Sequence, residues 1–160
     1  MKSLTTLITD IVSAAFAGCG YDSELGRVTI SNRPDLCEFQ CNGAMAGAKK
    51  YHKAPFMIAE EVAAALQNQE MFQEISVVKP GFINIKVSGS FLAGYLSDMA
   101  ADEKYGARPT GDSRKVVIDY GGPNVAKPLH VGHLRSAIIG ESIKRICRFM
   151  GDEVVGDVHL

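Results

Sequence analysis

The chain has 160 residues, 46% of them hydrophobic and 22% charged, with a formal net charge of −1. This composition suits one moderate core or two small ones and excludes a disordered polyelectrolyte. No overall basic field advertises nucleic-acid binding, so any RNA contact has to be local, and no apolar run approaches the 18 residues of a membrane-spanning helix.

Ser3 is a capping residue ahead of a helical pattern in which Leu4, Ile8, Ile11 and Ala15 share a face, ending near Gly18-Cys-Gly20. Asp10 lies where a signal peptide stays apolar. Arg27 to Ser31 reads as a strand, Cys41 to Tyr51 as a small-residue helix, and Ala54-Pro55 opens a helix to about Gln67 with Ile58, Val62 and Leu66 inward. Lys49, Lys50, His52 and Lys53 form the one dense basic cluster, which reads as a solvated helix end. Ile75 to Val78 and Phe82 to Val87 alternate around Lys79-Pro80-Gly81 as a hairpin. Phe91 to Ala101 is expected to be a helix that packs Leu92, Tyr95, Leu96 and Met99. Helices on one face of a small antiparallel sheet make an α+β domain, with Tyr105 to Ser113, rich in Gly, Pro and Thr, as the linker. The expected division is therefore 1–112, domain plus linker, and 113–160.

The second part changes character. Lys115 to Ile118 reads as a buried parallel strand, Gly132 to Met150 as a helix with Ile139, Ile143, Ile146 and Met150 on one face, and Val154 to Leu160 as the returning strand of a β-α-β unit. Between strand and helix runs Asp119-Tyr-Gly-Gly-Pro-Asn-Val-Ala-Lys-Pro-Leu-His-Val-Gly-His133. A loop that leaves the carboxyl end of a parallel strand and enters a helix amino terminus is where α/β sheets hold anions. His130 and His133 stand at that helix start, and imidazole N–H groups there can stabilise charge on a phosphate undergoing in-line displacement. Gly132 leaves room for a base or ribose, Lys127 adds a mobile positive charge, and Pro123 and Pro128 stiffen the loop. Metalloprotease helices need histidines four apart around a Glu; here Val131 and Gly132 intervene, so no metal site is expected. Cys19, Cys37, Cys41 and Cys147 include no Cys-x-x-Cys pair, which fits free thiols in a reducing compartment.

Residues 119–140, above all Pro123-Asn-Val-Ala-Lys-Pro-Leu-His-Val-Gly-His-Leu-Arg-Ser136, resemble the nucleotide-binding signature of class I aminoacyl-tRNA synthetases, and specifically the arginyl-tRNA synthetase family. Phe39-Gln-Cys-Asn-Gly-Ala-Met-Ala-Gly-Ala-Lys-Lys50 and Pro80-Gly-Phe-Ile-Asn-Ile85 are similar to that family's amino-terminal domain, so the resemblance spans nearly the whole chain. It implies a Rossmann-like catalytic domain beginning after the α+β domain. His130 and His133 would bind ATP and stabilise the transition state as the arginine carboxylate attacks the α-phosphate, with Gly132 and Lys127 completing the ATP site. Lys127 would supply charge otherwise given by a downstream Lys-Met-Ser-Lys-Ser loop. Asp119 and Asn124 would hold arginine, the former by pairing with a cation. Phe82 and Asn84 would stack on and hydrogen-bond a base in the D-loop of tRNA(Arg). The strand pattern alone leaves open whether that face meets RNA or the core. Where the family commonly has Gly-Asp before Phe-Gln-x-Asn, this chain has Cys37-Glu38, which puts the local turn in question.

The resemblance also implies ATP as substrate with Mg2+, a cytoplasmic location, no membrane partner and a monomeric full-length enzyme. Because a synthetase of this family is several times longer, the expectation is an amino-terminal fragment, inactive in aminoacylation alone. Apolar surface beyond Lys115 would be exposed and favour self-association. Two alternatives stand beside this reading: a non-catalytic tRNA-binding module, and a small nucleotidyltransferase sharing the His-x-Gly-His element.

Overall fold

A computed structural model describes residues 1–107, 111–124 and 126–158. Residues 108–110 of the expected linker, Val125 of the signature and the last two residues of the expected final strand lie outside the described residues. Contacts divide the chain into two units, Lys2–Ala101 and the part from Asp102 onward together with Met1.

The first unit begins with α1 (Leu4–Gly18), whose first turn is capped as expected: the Ser3 hydroxyl accepts the Thr6 N–H at 3.2 Å. Its buried stripe is Ile8, Val12 and Phe16, while Leu4, Ile11 and Ala15 pack at the margin. A short 3-10 turn over Ser23–Gly26 leads to β1 (Val28–Ile30), and β2 (Phe39–Cys41) follows. Cys41 therefore ends a strand rather than starting a helix, correcting the expectation. The helix α2 (Gly43–Tyr51) begins two residues later, at a position where an added Cβ would come within 1.7 Å of the Leu25 carbonyl oxygen. Glycine is what lets the helix start so close to the 3-10 turn. Then come α3 (Pro55–Leu66), with Pro55 in its first turn and Ile58, Val62 and Leu66 buried, the strands β3 (Phe72–Val78) and β4 (Phe82–Val87), and α4 (Gly89–Ala101).

The sheet order is β1-β2-β4-β3, antiparallel throughout. Strand side chains alternate between faces. Cys41, paired with Ile83, and Phe39, paired with Ile85, point into one core with Ile8, Val12, Phe16, Ile58, Val62 and Leu66 from α1 and α3. The next row, Thr29, Gln40, Asn84 and Ser76, faces the other way. In α4 only Phe91 and Leu92 pack against this core; Leu96 is exposed, so the expected packing of that residue is wrong. The helix reaches the core only through its first turn.

In the second unit β5 (Lys115–Asp119), α5 (Val131–Met150) and β6 (Glu153–Asp157) form the expected β-α-β unit, with β5 and β6 parallel and Lys115 opposite Glu153. The expectation of a buried β5 fails: Val116 and Ile118 are half-buried beside exposed Val117, because the helix covers one face of the two strands and nothing described covers the other. The isoleucine face of α5 is turned away from the strands, as the expected exposed apolar surface requires. Ile139, Ile143 and Ile146 are exposed, whereas Ala137, Gly140, Glu141, Lys144 and Cys147 turn toward the strands. An added Cβ at Gly140 would meet the Tyr120 side chain at 2.2 Å, so the aromatic ring occupies the place a larger helix residue would take. All four cysteines are free. No described helix is long and apolar enough to cross a membrane.

Candidate functional site

Asp119 is the last residue of β5 and is exposed beside Asp157 at the carboxyl end of the parallel pair. The chain then turns through Gly121, whose φ of +76° is the left-handed region that glycine tolerates best. Asn124 folds the loop on itself: its Oδ1 accepts the Ala126 N–H at 2.9 Å and its carbonyl accepts the Lys127 N–H at 3.2 Å. This is an Asx-type turn, and among the described residues the Asn124 amide nitrogen has no partner. Lys127 is exposed and forms no ion pair among the described residues.

The two histidines are joined by a device that the sequence reading missed. His130 caps α5: its Nδ1 accepts the Gly132 N–H at 3.0 Å, while the His133 Nδ1 accepts the His130 N–H at 3.1 Å. The rings lie 4.2 Å apart between centroids, tilted by 45°. The His133 Nδ1 also lies 3.3 Å from the His130 carbonyl oxygen; where both Nδ1 atoms accept a backbone N–H, each neutral imidazole holds its proton on Nε2. In that tautomer each ring offers an Nε2–H donor, while the N–H groups of His130, Gly132 and His133 are already bonded at the helix start. Gly132 has a more local reason than ligand access: an added Cβ would come within 2.7 Å of the His130 ring. Serine, threonine or aspartate is the usual cap, which is why a histidine pair gave no capping signal.

Tyr120 anchors the loop from behind. Its hydroxyl donates to Glu141 Oε2 at 2.6 Å and accepts from Lys144 Nζ at 2.8 Å, and Arg145 closes on the other Glu141 oxygen at 2.9 Å. Lys144, then Tyr120 and Arg145, hold the Glu141 carboxyl down to about 2. Sequence reading overlooked this network because its members look like ordinary helix-surface charges.

A second surface belongs to the first unit. The outer row of the four-stranded sheet carries Gln40 and Asn84, with Phe82 two residues along β4 and opposite Val78. Phe82 and Asn84 thus share the face turned away from Ile83 and Ile85, settling which side of the sheet they occupy. Gln40 Nε2 donates to Asn84 Oδ1 at 2.8 Å. The Cys37-Glu38 departure makes a junction: Cys37 is buried, and the Glu38 carboxylate accepts the Val87 N–H at 3.1 Å, tying the lead-in of β2 to the end of β4. In the basic cluster, Lys50 pairs with Asp22 and Lys53 with Glu61. That leaves Lys49 and His52 as its exposed unpaired members among the described residues.

An α+β unit followed in the chain by a parallel strand-helix-strand unit, with paired imidazoles at the helix start, is the arrangement found where profiles of class I tRNA synthetases match. The family profile described as arginyl tRNA synthetase N terminal domain matches residues 2–87, and that of the tRNA synthetases class I (R) catalytic domain matches residues 96–160. The chain belongs to the arginyl-tRNA synthetase family. It is 62% identical over its whole length to an arginine–tRNA ligase of Agathobacter rectalis and 56% identical to one of Alkaliphilus oremlandii, and it spans 27% of the length of each. The crystal structure of arginyl-tRNA synthetase from Plasmodium falciparum is similar at a TM-score of 0.60 and 26% identity, over 99% of this chain and 31% of that one. The Thermus thermophilus arginyl-tRNA synthetase shares the fold at a TM-score of 0.51 and 24% identity, over 96% of this chain and 25% of that one. The family match removes the small-nucleotidyltransferase alternative.

Proposed function

We propose that this chain serves an arginine–tRNA ligase, which activates arginine with ATP and transfers it to tRNA(Arg). Residues 1–112 supply the tRNA-contacting domain and linker, and residues from 113 begin the ATP-binding domain. The observation that carries the reading is the pair of imidazoles at the cap of α5, on the loop that follows a parallel strand, with no partner at either Nε2 among the described residues.

In this reading the arginine carboxylate oxygen attacks the α-phosphate, the bond to the bridging oxygen of pyrophosphate breaks, and arginyl-adenylate forms. His130 and His133 donate Nε2–H bonds to phosphate oxygens as negative charge shifts toward the leaving group. Lys127 follows that charge on its flexible stem. Asp119, at the strand end, pairs with a cationic group of arginine, and the free Asn124 amide nitrogen donates to its carboxylate. ATP enters with Mg2+ as its accompanying cation, and the setting is the cytoplasm, where the charged tRNA is used. The whole ligase acts as a monomer; the isolated 160-residue chain does not aminoacylate, and its exposed α5 face promotes self-association.

Phe82 and Asn84 contact a D-loop base of tRNA(Arg), the ring by stacking and the amide by its edge. The test is arginine-dependent ATP–pyrophosphate exchange by the whole ligase. His130→Ala and His133→Ala are each expected to lower kcat by about a hundredfold, and full exchange by both variants defeats the assignment.

A further inference from the structure

Asp119 is exposed at the end of β5, while the next side chain, Tyr120, is half-buried and packs on α5. Neighbouring side chains of an extended chain point to opposite faces, so Tyr120 stands behind the proposed arginine site and not within it. Its ring lies in a slot with a glycine on either side. An added Cβ at Gly140 on α5 would meet it at 2.2 Å, and one at Gly156 on β6 would meet it at 3.1 Å. Two glycines give the slot smooth walls, with no side chain to stop the ring from sliding. Its depth is set at the tip, where the hydroxyl donates to Glu141 Oε2 at 2.6 Å and accepts from Lys144 Nζ at 2.8 Å. Glu141 is tied in turn to Lys144 at 2.5 Å and to Arg145 at 2.9 Å. The Tyr120 N–H donates to the Asp157 carbonyl at 3.1 Å, which carries the pairing with β6 one residue past Asp119.

We propose that Tyr120 is a positioning residue of the arginine site: clamped in its glycine slot by Glu141 and Lys144, it fixes the strand end from which Asp119 and the Asn124 turn reach the substrate. This rests on the reading that Asp119 and Asn124 hold arginine. The histidines of the ATP site do not depend on the clamp, because His130 and His133 are held by bonds within their own helix start. Hydrogen bonds and ion pairs weaken steeply with misalignment. A shifted strand end therefore loosens the hold on arginine and leaves the phosphate donors where they are.

The test is arginine-dependent ATP–pyrophosphate exchange by the whole ligase, with KM measured separately for arginine and for ATP. Tyr120→Phe keeps the ring and removes its hydroxyl, and Glu141→Ala removes the acceptor from the body of α5. Each is expected to raise the KM for arginine by about tenfold, with kcat and the KM for ATP close to wild type. The double variant is expected to be no worse than the more impaired single one, since both act through one bond. A fall in kcat alone, or equal rises in both KM values, is what loss of folded enzyme or of general packing would give, and it overturns the proposal. Additive effects overturn it too, because the two residues would then act separately. Asp119→Asn distinguishes the proposal from the reading beneath it. If that variant raises the KM for arginine while Tyr120→Phe and Glu141→Ala do not, Tyr120 has no positioning role although the arginine site stands. If Asp119→Asn leaves the KM for arginine unchanged, arginine is not held there and the proposal falls with the reading.

Discussion

The two units spend their apolar residues in opposite ways. In Lys2–Ala101, side chains from α1, α3, β2 and β4 meet in one core, with Phe16, Ile58, Ile83 and Ile85 wholly buried. In the second unit, Gly140 and Val154 are the buried residues among those described, while Val117 is 72% and Ile146 62% exposed. Interior packing therefore holds the proposed RNA face in place. Hydrogen bonds hold the proposed ATP site: the histidine caps, the Asn124 turn and the Tyr120 anchor. A rigid platform suits the reading of a base, and an open strand-helix crevice gives a ligand access to the imidazole edges at the start of α5.

The largest effect that separates the units comes from truncating core side chains. Phe16→Ala is expected to destabilise the first unit by about 3–5 kcal/mol, whereas Ile146→Ala changes stability by less than about 0.5 kcal/mol; urea unfolding of both variants measures this. Equal losses would erase the contrast. Gly140→Ala comes next, since the added methyl collides with Tyr120. A cost of about 1–3 kcal/mol is expected, with loss of amide protection in α5 but not in α1. Ser3→Ala removes the α1 cap and should cost about 1 kcal/mol, read from the melting of the first unit.

The smallest effect is a pH dependence confined to the second unit. The Glu141 carboxyl titrates lower in the folded chain than its ordinary 4.5, so its contribution is complete above that value and is lost as pH falls toward about 2. Glu141→Gln should abolish that part of the acid dependence, followed through amide exchange of α5 between pH 5 and 2. An unchanged acid profile would mean that the Tyr120 network does not anchor the loop.

Much of this was legible where one local rule decides. Ser3 before an apolar stripe, Pro55 at a helix start and the spacing of Ile58, Val62 and Leu66 announce helices through capping and periodicity alone. The order β5-α5-β6 could be read from a short apolar run, a glycine- and proline-rich loop and a helical pattern. The strand β2 escaped because three residues carry no period, and only pairing with β1 and β4 makes them a strand. The inner face of α5 escaped for a related reason. Periodicity grouped the isoleucines on one face without saying which way it turns, and the side facing the strands is decided by Gly140 making room for Tyr120. The histidine spacing pointed to the candidate site; the capping arrangement that ties both rings to the helix start is a three-dimensional fact with no sequence counterpart.

The imidazole nitrogen-15 resonances of His130 and His133, recorded on the chain before and after addition of ATP, probe the proposed site at the atoms concerned. Both rings are expected to carry their protons on Nε2 without ligand, and both Nε2 signals to shift when ATP is added while each Nδ1 remains an acceptor. Protons found on Nδ1, or Nε2 signals indifferent to saturating ATP, would contradict a triphosphate held at the start of α5.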